Sequence, residues 1–259
     1  MPNSFKTSKS NHQTACFQDN RLLKAISAEV RERIYPHLKL TELPLGAVLY
    51  ESGDVMESVY FPTNSIVSML YVMADGRSAE ISVVGYEGVV GIALFMGGLS
   101  TPSRAVVQSA GQAYRLESKF LKTEFALNGE FHHLLLRYTQ ALITQMAQTV
   151  ACNRHHSIDQ QLCRWLLLSM DRLKGEDLYM TQELIANMLG VRREGVTEAA
   201  GKLQSAGVIE YRRGHIQVLD RPKLEHLCCE CYAVVKKETD RLFEEFSYPP
   251  GGLLHRLKD

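Results

Sequence analysis

The chain has no charge of one sign to spare. Its 259 residues carry 29 lysines and arginines against 29 aspartates and glutamates, a formal net charge of zero. A protein that coats polyanions indiscriminately shows a basic excess, so any nucleic-acid contact here has to come from a local basic face. Long apolar runs are missing too: none approaches the roughly 20 residues of a membrane span. The opening segment MPNSFKTSKSNHQTACFQDN lacks the apolar core of a secretory signal. A cytoplasmic location is therefore expected, with no membrane partner and with the six cysteines reduced. No phosphate loop, nucleophile elbow or zinc-protease motif is present, so no enzyme class has support and no catalytic residue is assigned. Repeats at solenoid periods are absent. What the chain does have is 45% hydrophobic and 22% charged residues, enough to bury a core rather than remain disordered.

Pattern divides the sequence into three regions. Residues 1–18 read as a flexible polar tail. From 19 to 129, and most clearly between residues 40 and 117, short apolar runs alternate with turn signals at Ser52-Gly53-Asp54, Pro62-Thr63-Asn64 and Asp75-Gly76. Many short, closely spaced strands suggest a small β-roll or barrel. After Leu116 helix formers take over, and no proline falls between 118 and 153, so one long helix is expected, its dimerisation segment spanning 130–153. Leu135, Tyr138, Leu142, Gln145, Thr149 and Cys152 recur at steps of three and four; so do Leu136, Gln140, Ile143, Ala147 and Val150. One stripe would cover the roll and the other would meet a second copy of the chain. A single helix buried within a monomer is the plainer alternative, and the pattern does not say which stripe is the seam.

The third region, 154–221, opens with Ser157 followed by Gln160, a capping box. Its helix breaks at GEDLYM, Thr181 caps the next one, Gly190 ends that, and Gly207 stops VRREGVTEAAGKLQSAG. VIEYRRGHIQVL reads as a hairpin turning at Arg213-Gly214. A last helix is expected over 222–246, stopped by SYPPGG, within a C-terminal segment 222–259. Two short helices joined by a glycine turn, then a hairpin, make a winged helix-turn-helix. Val196, Ala199, Ala200 and Leu203 fall on one face of the second helix, which leaves Arg192, Arg193, Glu194, Thr197 and Glu198 on the outside of its N-terminal part, with Lys202 further along. Such a helix presents its first residues to base edges in the major groove of double-stranded DNA. The blander reading is a solvated face of Arg–Glu pairs at helical spacing. Arg212 and Arg213 in the wing favour DNA.

At this point the chain resembles the Crp/Fnr superfamily of bacterial transcription regulators, over about residues 22 to 235. The stretches GAVLYESGD, VYFPTNSIVSML and DGRSAEISVVGYEGVVG look like the family's β-roll, and MTQELIANMLGVRREGVTEAAGKLQSAGVIEYRRGHIQVLD looks like its DNA-binding domain. The resemblance implies an α+β fold: an N-terminal cyclic-nucleotide-binding-like β-roll, a long dimerisation helix and a C-terminal winged helix-turn-helix. It implies base-reading roles for Arg193, Glu194 and Glu198, phosphate contacts at Thr181 and Gln182, a homodimer, and RNA polymerase as a candidate partner. Relatives often have arginine where Glu198 stands, which implies a different operator.

Members that bind cyclic AMP carry Gly-Glu-x-x-Leu and then Arg-Ser-Ala. Here the effector-pocket candidates are Gly91, Ile92, Ser103 and Arg104: Ile92 stands where the glutamate belongs, Ser103 where the arginine belongs, and the spacing is one residue longer. An isoleucine cannot accept a ribose hydroxyl, which leaves buried polar groups unpaired at about 1–3 kcal/mol each. The nucleotide site reads as degenerate, with Arg104 either structural or holding another anion, and no effector or cofactor is named. Only Cys16 precedes Cys152, and no histidine lies between His37 and His132, which speaks against the family's iron–sulfur and haem chemistries. HLCCECY supports a rival reading, a redox- or metal-responsive regulator using Cys228, Cys229 and Cys231. Cysteines on an amphipathic helix are ordinarily packing residues, so no metal site is assigned, and His132-His133 and His155-His156 are expected to be surface or packing groups.

Overall fold

The computed structural model describes residues 17–173 and 177–244. Seven strands form the roll: β1 (Lys39–Leu43), β2 (Val48–Tyr50), β3 (Ser58–Pro62), β4 (Ile66–Val72), β5 (Ser78–Val84), β6 (Arg104–Ser109) and β7 (Gly111–Glu117). They lie in two antiparallel sheets, ordered β1-β7-β3 and β2-β6-β4-β5. Gly53 and Gly76 take φ of +86° and +84° at the turns the sequence marks, a conformation that costs a residue without Cβ little. Two short helices, α1 (Arg21–Ala25) and α2 (Ala28–Ile34), precede the strands. Asn20 caps α1 by accepting from the amides of Leu22 and Leu23 and donates to the carbonyls of Pro62 and Gly88, both at 2.9 Å. The tail assigned to 1–18 ends too late. Phe17 begins a 3-10 turn and packs its ring 4.1 Å from Tyr35 and 4.5 Å from Tyr114; residues 1–16 lie outside the described ones.

The single helix expected over 118–153 is two, α3 (Ser118–Phe125) and α4 (Glu130–His155). Asn128 turns to φ +52° and Gly129 is extended before α4 starts, so the chain reverses without any proline. The two stripes of α4 then separate. Leu135, Tyr138, Leu142, Gln145, Thr149 and Cys152 are buried. Leu136, Gln140, Ile143, Ala147 and Val150 are exposed, Ile143 by 54% and Val150 by 69%.

The C-terminal part comprises α5 (Ile158–Met170), β8 (Asp177–Tyr179), α6 (Gln182–Leu189), α7 (Arg193–Ser205), β9 (Ile209–Arg212), β10 (His215–Val218), α8 (Arg221–Leu227) and α9 (Glu230–Glu244). The Ser157–Gln160 capping box is present. GEDLYM was read only as a break, yet its second half is β8, which pairs with β10 to make a three-stranded wing sheet. The expected last helix is two helices broken at Cys228 and Cys229. Its stop at SYPPGG lies outside the described residues.

Strand β4 explains how the two parts meet. Ile66 to Leu70 are all buried, because both faces are covered. Val67 and Met69 enter the roll core, whereas Ile66 and Leu70, with Val83 of β5, share a second core with Trp165, Leu166, Ile185 and Ala186. Among these apolar contacts runs a buried polar chain. Ser68 touches Glu80 and Gln108, Gln108 donates to Ser169 at 3.3 Å, and Arg172 pairs with Glu87 at 2.8 Å. From α4, the Gln145 amide bonds both the N–H (2.8 Å) and the carbonyl (3.2 Å) of Val83. The domains are therefore joined by a packed, hydrogen-bonded face.

Candidate nucleic-acid interface

Local chemistry positions α7, the candidate reading helix. Thr181 accepts from the Leu184 amide and starts α6, and Gly190 closes it at φ +67°. A Cβ on Gly190 would stand 3.4 Å from that of Ala79 on β5, so the turn of the helix-turn-helix rests against the roll. Val196, Ala199, Ala200 and Leu203 bury the inner face of α7. Of the helix's glycines, Gly195 is the one that permits close approach: a Cβ there would meet the Ile158 Cδ1 at 2.7 Å, whereas one on Gly201 would meet nothing. Arg192 is the N-cap of α7 with no side-chain cap bond, so the first amides of α7 stay open to a phosphate.

The expected DNA-binding residues divide by what already engages them. Arg192, Arg193, Glu194, Thr197, Glu198, Lys202, Arg212 and Arg213 are all exposed. Among the described residues, Lys202 is held by Asp159 and Glu198, both at 3.0 Å, and Arg212 by Glu210 at 2.8 Å. Hydrogen bonds to those two carboxylates raise the pKa of Lys202. Lys202 thereby ties α7 to α5, a role the sequence reading missed because Asp159 lies 43 residues away. Thr197 donates to Gln182 at 2.7 Å, linking the two helices. Among the described residues, Arg192, Arg193 and Arg213 are in no ion pair. Arg213 and Gly214 have φ of +50° and +80°, the paired left-handed residues of a two-residue hairpin turn. The wing is fastened to the start of α6 by Met180 N–H to Gly214 (2.6 Å) and by Tyr211 Oη to the Met180 carbonyl (2.7 Å).

In the roll, a cavity of about 300 Å³ is lined by Gly91, Ile92 and Ser103 together with Tyr50, Met69 and Met146 among others. Arg104 does not line it. Its guanidinium Nε stands 3.2 Å from Glu51, so the fourth effector-pocket candidate is drawn away to an ion pair. Burial pushes the Tyr50 phenol up to about 12, and Tyr50 donates to the Met69 sulfur at 3.3 Å. Among the described residues, the cavity thus offers hydroxyls and thioethers and no cation.

At the other end of the chain the cysteine cluster is not the one the sequence suggested. Cys229 and Cys231 face Cys152 of α4 and His156, the helix's C-cap, and Cys228 is left out. His156, expected as a surface or packing group, joins the cluster from the extended C-cap position just after α4. His132 does pack as expected, with its ring 4.1 Å from Phe125.

A roll of this topology joined to a winged helix-turn-helix with open arginines defines a two-domain DNA-binding protein with a cyclic-nucleotide-binding-like domain. The comparison with known families agrees. Residues 160–227 match the Crp-like helix-turn-helix domain, and residues 40–127 match the cyclic nucleotide-binding domain. The chain belongs to the Crp/Fnr superfamily and is a DNA-binding transcription regulator. It is similar to the global nitrogen regulator of Synechococcus elongatus, with 21% identity over 193 residues, 71% of this chain and 86% of the relative. In fold it is similar to FixK2 from Bradyrhizobium japonicum (TM-score 0.64, 17% identity, 74% of this chain and 98% of that one). A CRP-family transcriptional regulator from Thermus thermophilus is similar as well (TM-score 0.61, 19% identity, 72% and 95%). Among the described residues no helix is long and apolar enough to cross a membrane.

Proposed function

We propose that the chain acts as a homodimer that reads a pseudo-palindromic DNA site, with a sensor roll that does not answer to cyclic AMP or cyclic GMP. The observation that carries the DNA reading is the pair of unpaired arginines, Arg192 and Arg193, at the uncapped start of a helix whose other face is docked by small residues. Arg193 reads a purine edge bidentately, and Arg192, one residue away and pointing elsewhere, meets phosphate together with Arg213 of the wing. Glu194 and Glu198 add acceptors for cytosine amines, and Thr181 and Gln182 flank a phosphate. The exposed stripe Leu136, Ile143, Ala147 and Val150 supplies the seam for the second copy. Two copies would then present their reading helices about 34–36 Å apart. A cyclic phosphate entering the roll would find no counter-charge, since Arg104 is paired outside the cavity. A cytoplasmic location and contact with RNA polymerase belong to the same reading.

The test is a titration of alanine variants against specific and scrambled DNA at two salt concentrations. Arg193→Ala should lose about 1–3 kcal/mol on the specific site and relax preference at one base position. Arg192→Ala and Arg213→Ala should weaken both DNAs alike and flatten the salt dependence. If Arg193→Ala binds both DNAs as the parent does, α7 is not the reading helix.

A further inference from the structure

The side chains of Cys152, His156, Cys229 and Cys231 place one ligand atom each within 4.8 Å of all the others. Cys152 Sγ lies 3.6 Å from Cys229 Sγ, and Cys231 Sγ lies 3.6 Å from His156 Nδ1. A tetrahedral zinc site with Zn–S near 2.3 Å and Zn–N near 2.0 Å has edges of about 3.4–3.8 Å; the two 3.6 Å separations match two of its six edges, and the 4.8 Å bound on the rest leaves the four atoms close enough to gather on a single ion. Iron–sulfur clusters spread their thiolates wider, because the cluster itself lies between them. The local structure explains the convergence. Cys152 lies in the last turn of α4, and His156, the extended C-cap residue that follows the helix, donates its N–H to the Cys152 carbonyl at 3.0 Å, which holds the two residues together. Cys229 and Cys231 flank Glu230, the first residue of α9, where the helix dipole favours thiolates. All three cysteines are buried.

We propose that this is a zinc site of three thiolates and one imidazole. Two features beyond the four ligands fit it. The other ring nitrogen of His156, Nε2, stands 3.4 Å from the Glu230 carboxylate, the outer partner that orients a metal-bound histidine. Three thiolates and one Zn2+ leave one negative charge, and Arg164 answers it. That guanidinium is buried beside Cys152, hydrogen-bonds Thr149 at 3.2 Å, and has no carboxylate within ion-pair distance among the described residues. His156 closes α4 and the next residue, Ser157, caps α5. The ion therefore ties α9 to the joint between the roll's long helix and the DNA-binding domain. This inference does not depend on the DNA reading.

The full-length chain, purified under reductant with zinc in the growth medium and no chelator, is assayed by elemental mass spectrometry. About one zinc per chain is expected, as for a closed structural site. His156→Ala, Cys229→Ser and Cys231→Ser should each lose it, while Cys228→Ser and Cys163→Ser keep it. Because a ligand variant can fail to fold, the unmutated chain is also loaded with Co2+, which should show tetrahedral ligand-field bands with thiolate charge transfer. Three results overturn the proposal. They are an unmutated chain that holds neither zinc nor Co2+, a Cys152–Cys229 disulfide in its peptide map, or full zinc content in the Cys229→Ser/Cys231→Ser double variant.

Discussion

Glu80 should make the protein less stable as the solution turns from acidic to neutral, and replacing it by glutamine should remove that loss. Glu80 is buried on β5, on the face that meets the DNA-binding domain. Burial raises its pKa to about 7 from an ordinary 4.5, against the opposing pull of the Ser68 hydrogen bond, Arg164 and Arg172. Hydrogen bonding points the same way. Ser68 Oγ lies 2.5 Å from both Glu80 Oε2 and Gln108 Oε1, and Gln108 turns its Nε2 to Ser169. A serine has one proton and cannot donate to two acceptors, so with this orientation of the Gln108 amide a neutral Glu80 carboxyl supplies the second proton. The unfolded chain releases that proton near 4.5 and the folded chain near 7. Between those values the folded state holds more protons, so stability falls as pH rises through the window and levels off above it. The full loss is about 3 kcal/mol. Glu80→Gln keeps a donor toward Ser68 and carries no charge. Urea unfolding of parent and variant, followed by the single tryptophan, Trp165, which lies in the shared core, should agree near pH 4 and diverge by up to about 3 kcal/mol above pH 7. Parallel stabilities from pH 4 to 8 would refute the argument and mean that Glu80 is charged in the fold.

Two further outcomes follow from α4 and the roll. Light scattering after size exclusion should give twice the chain mass of 29.2 kDa, and Ile143→Glu, on the exposed stripe, should shift it toward the monomer without unfolding; a parent monomer at micromolar concentration refutes the seam. Calorimetry should detect no cyclic AMP or cyclic GMP binding at micromolar ligand, because the cavity holds no cation and Arg104 pairs with Glu51; a micromolar affinity for either overturns this.

Signals that act over a few residues were legible in the chain. The Ser157–Gln160 box, the Thr181 cap, the left-handed Gly190 and Gly207 and the Arg213-Gly214 turn all stand where the sequence puts them, because capping and turn preferences depend on near neighbours alone. The two helices and the β9–β10 hairpin follow from them; the third wing strand, β8, does not. The two stripes of α4 were legible too, as spacing. Which of them faces the roll was not, since both are apolar enough and only the approach of β5 and α9 selects one. The break at Asn128–Gly129 carries a local mark of its own, since asparagine and glycine both favour turns and Asn128 takes φ +52°; the break at Cys228–Cys229 carries no glycine or proline. Distance in sequence hid the rest. Lys202 meets Asp159, Arg104 meets Glu51, and Cys152 meets Cys229 across 77 residues. Sequence determined most of the elements and the basic start of α7 through local backbone and capping energies; the fold alone decided which side chains share a buried space, and so which arginines are paired, how Glu80 is surrounded and that Cys152, His156, Cys229 and Cys231 converge.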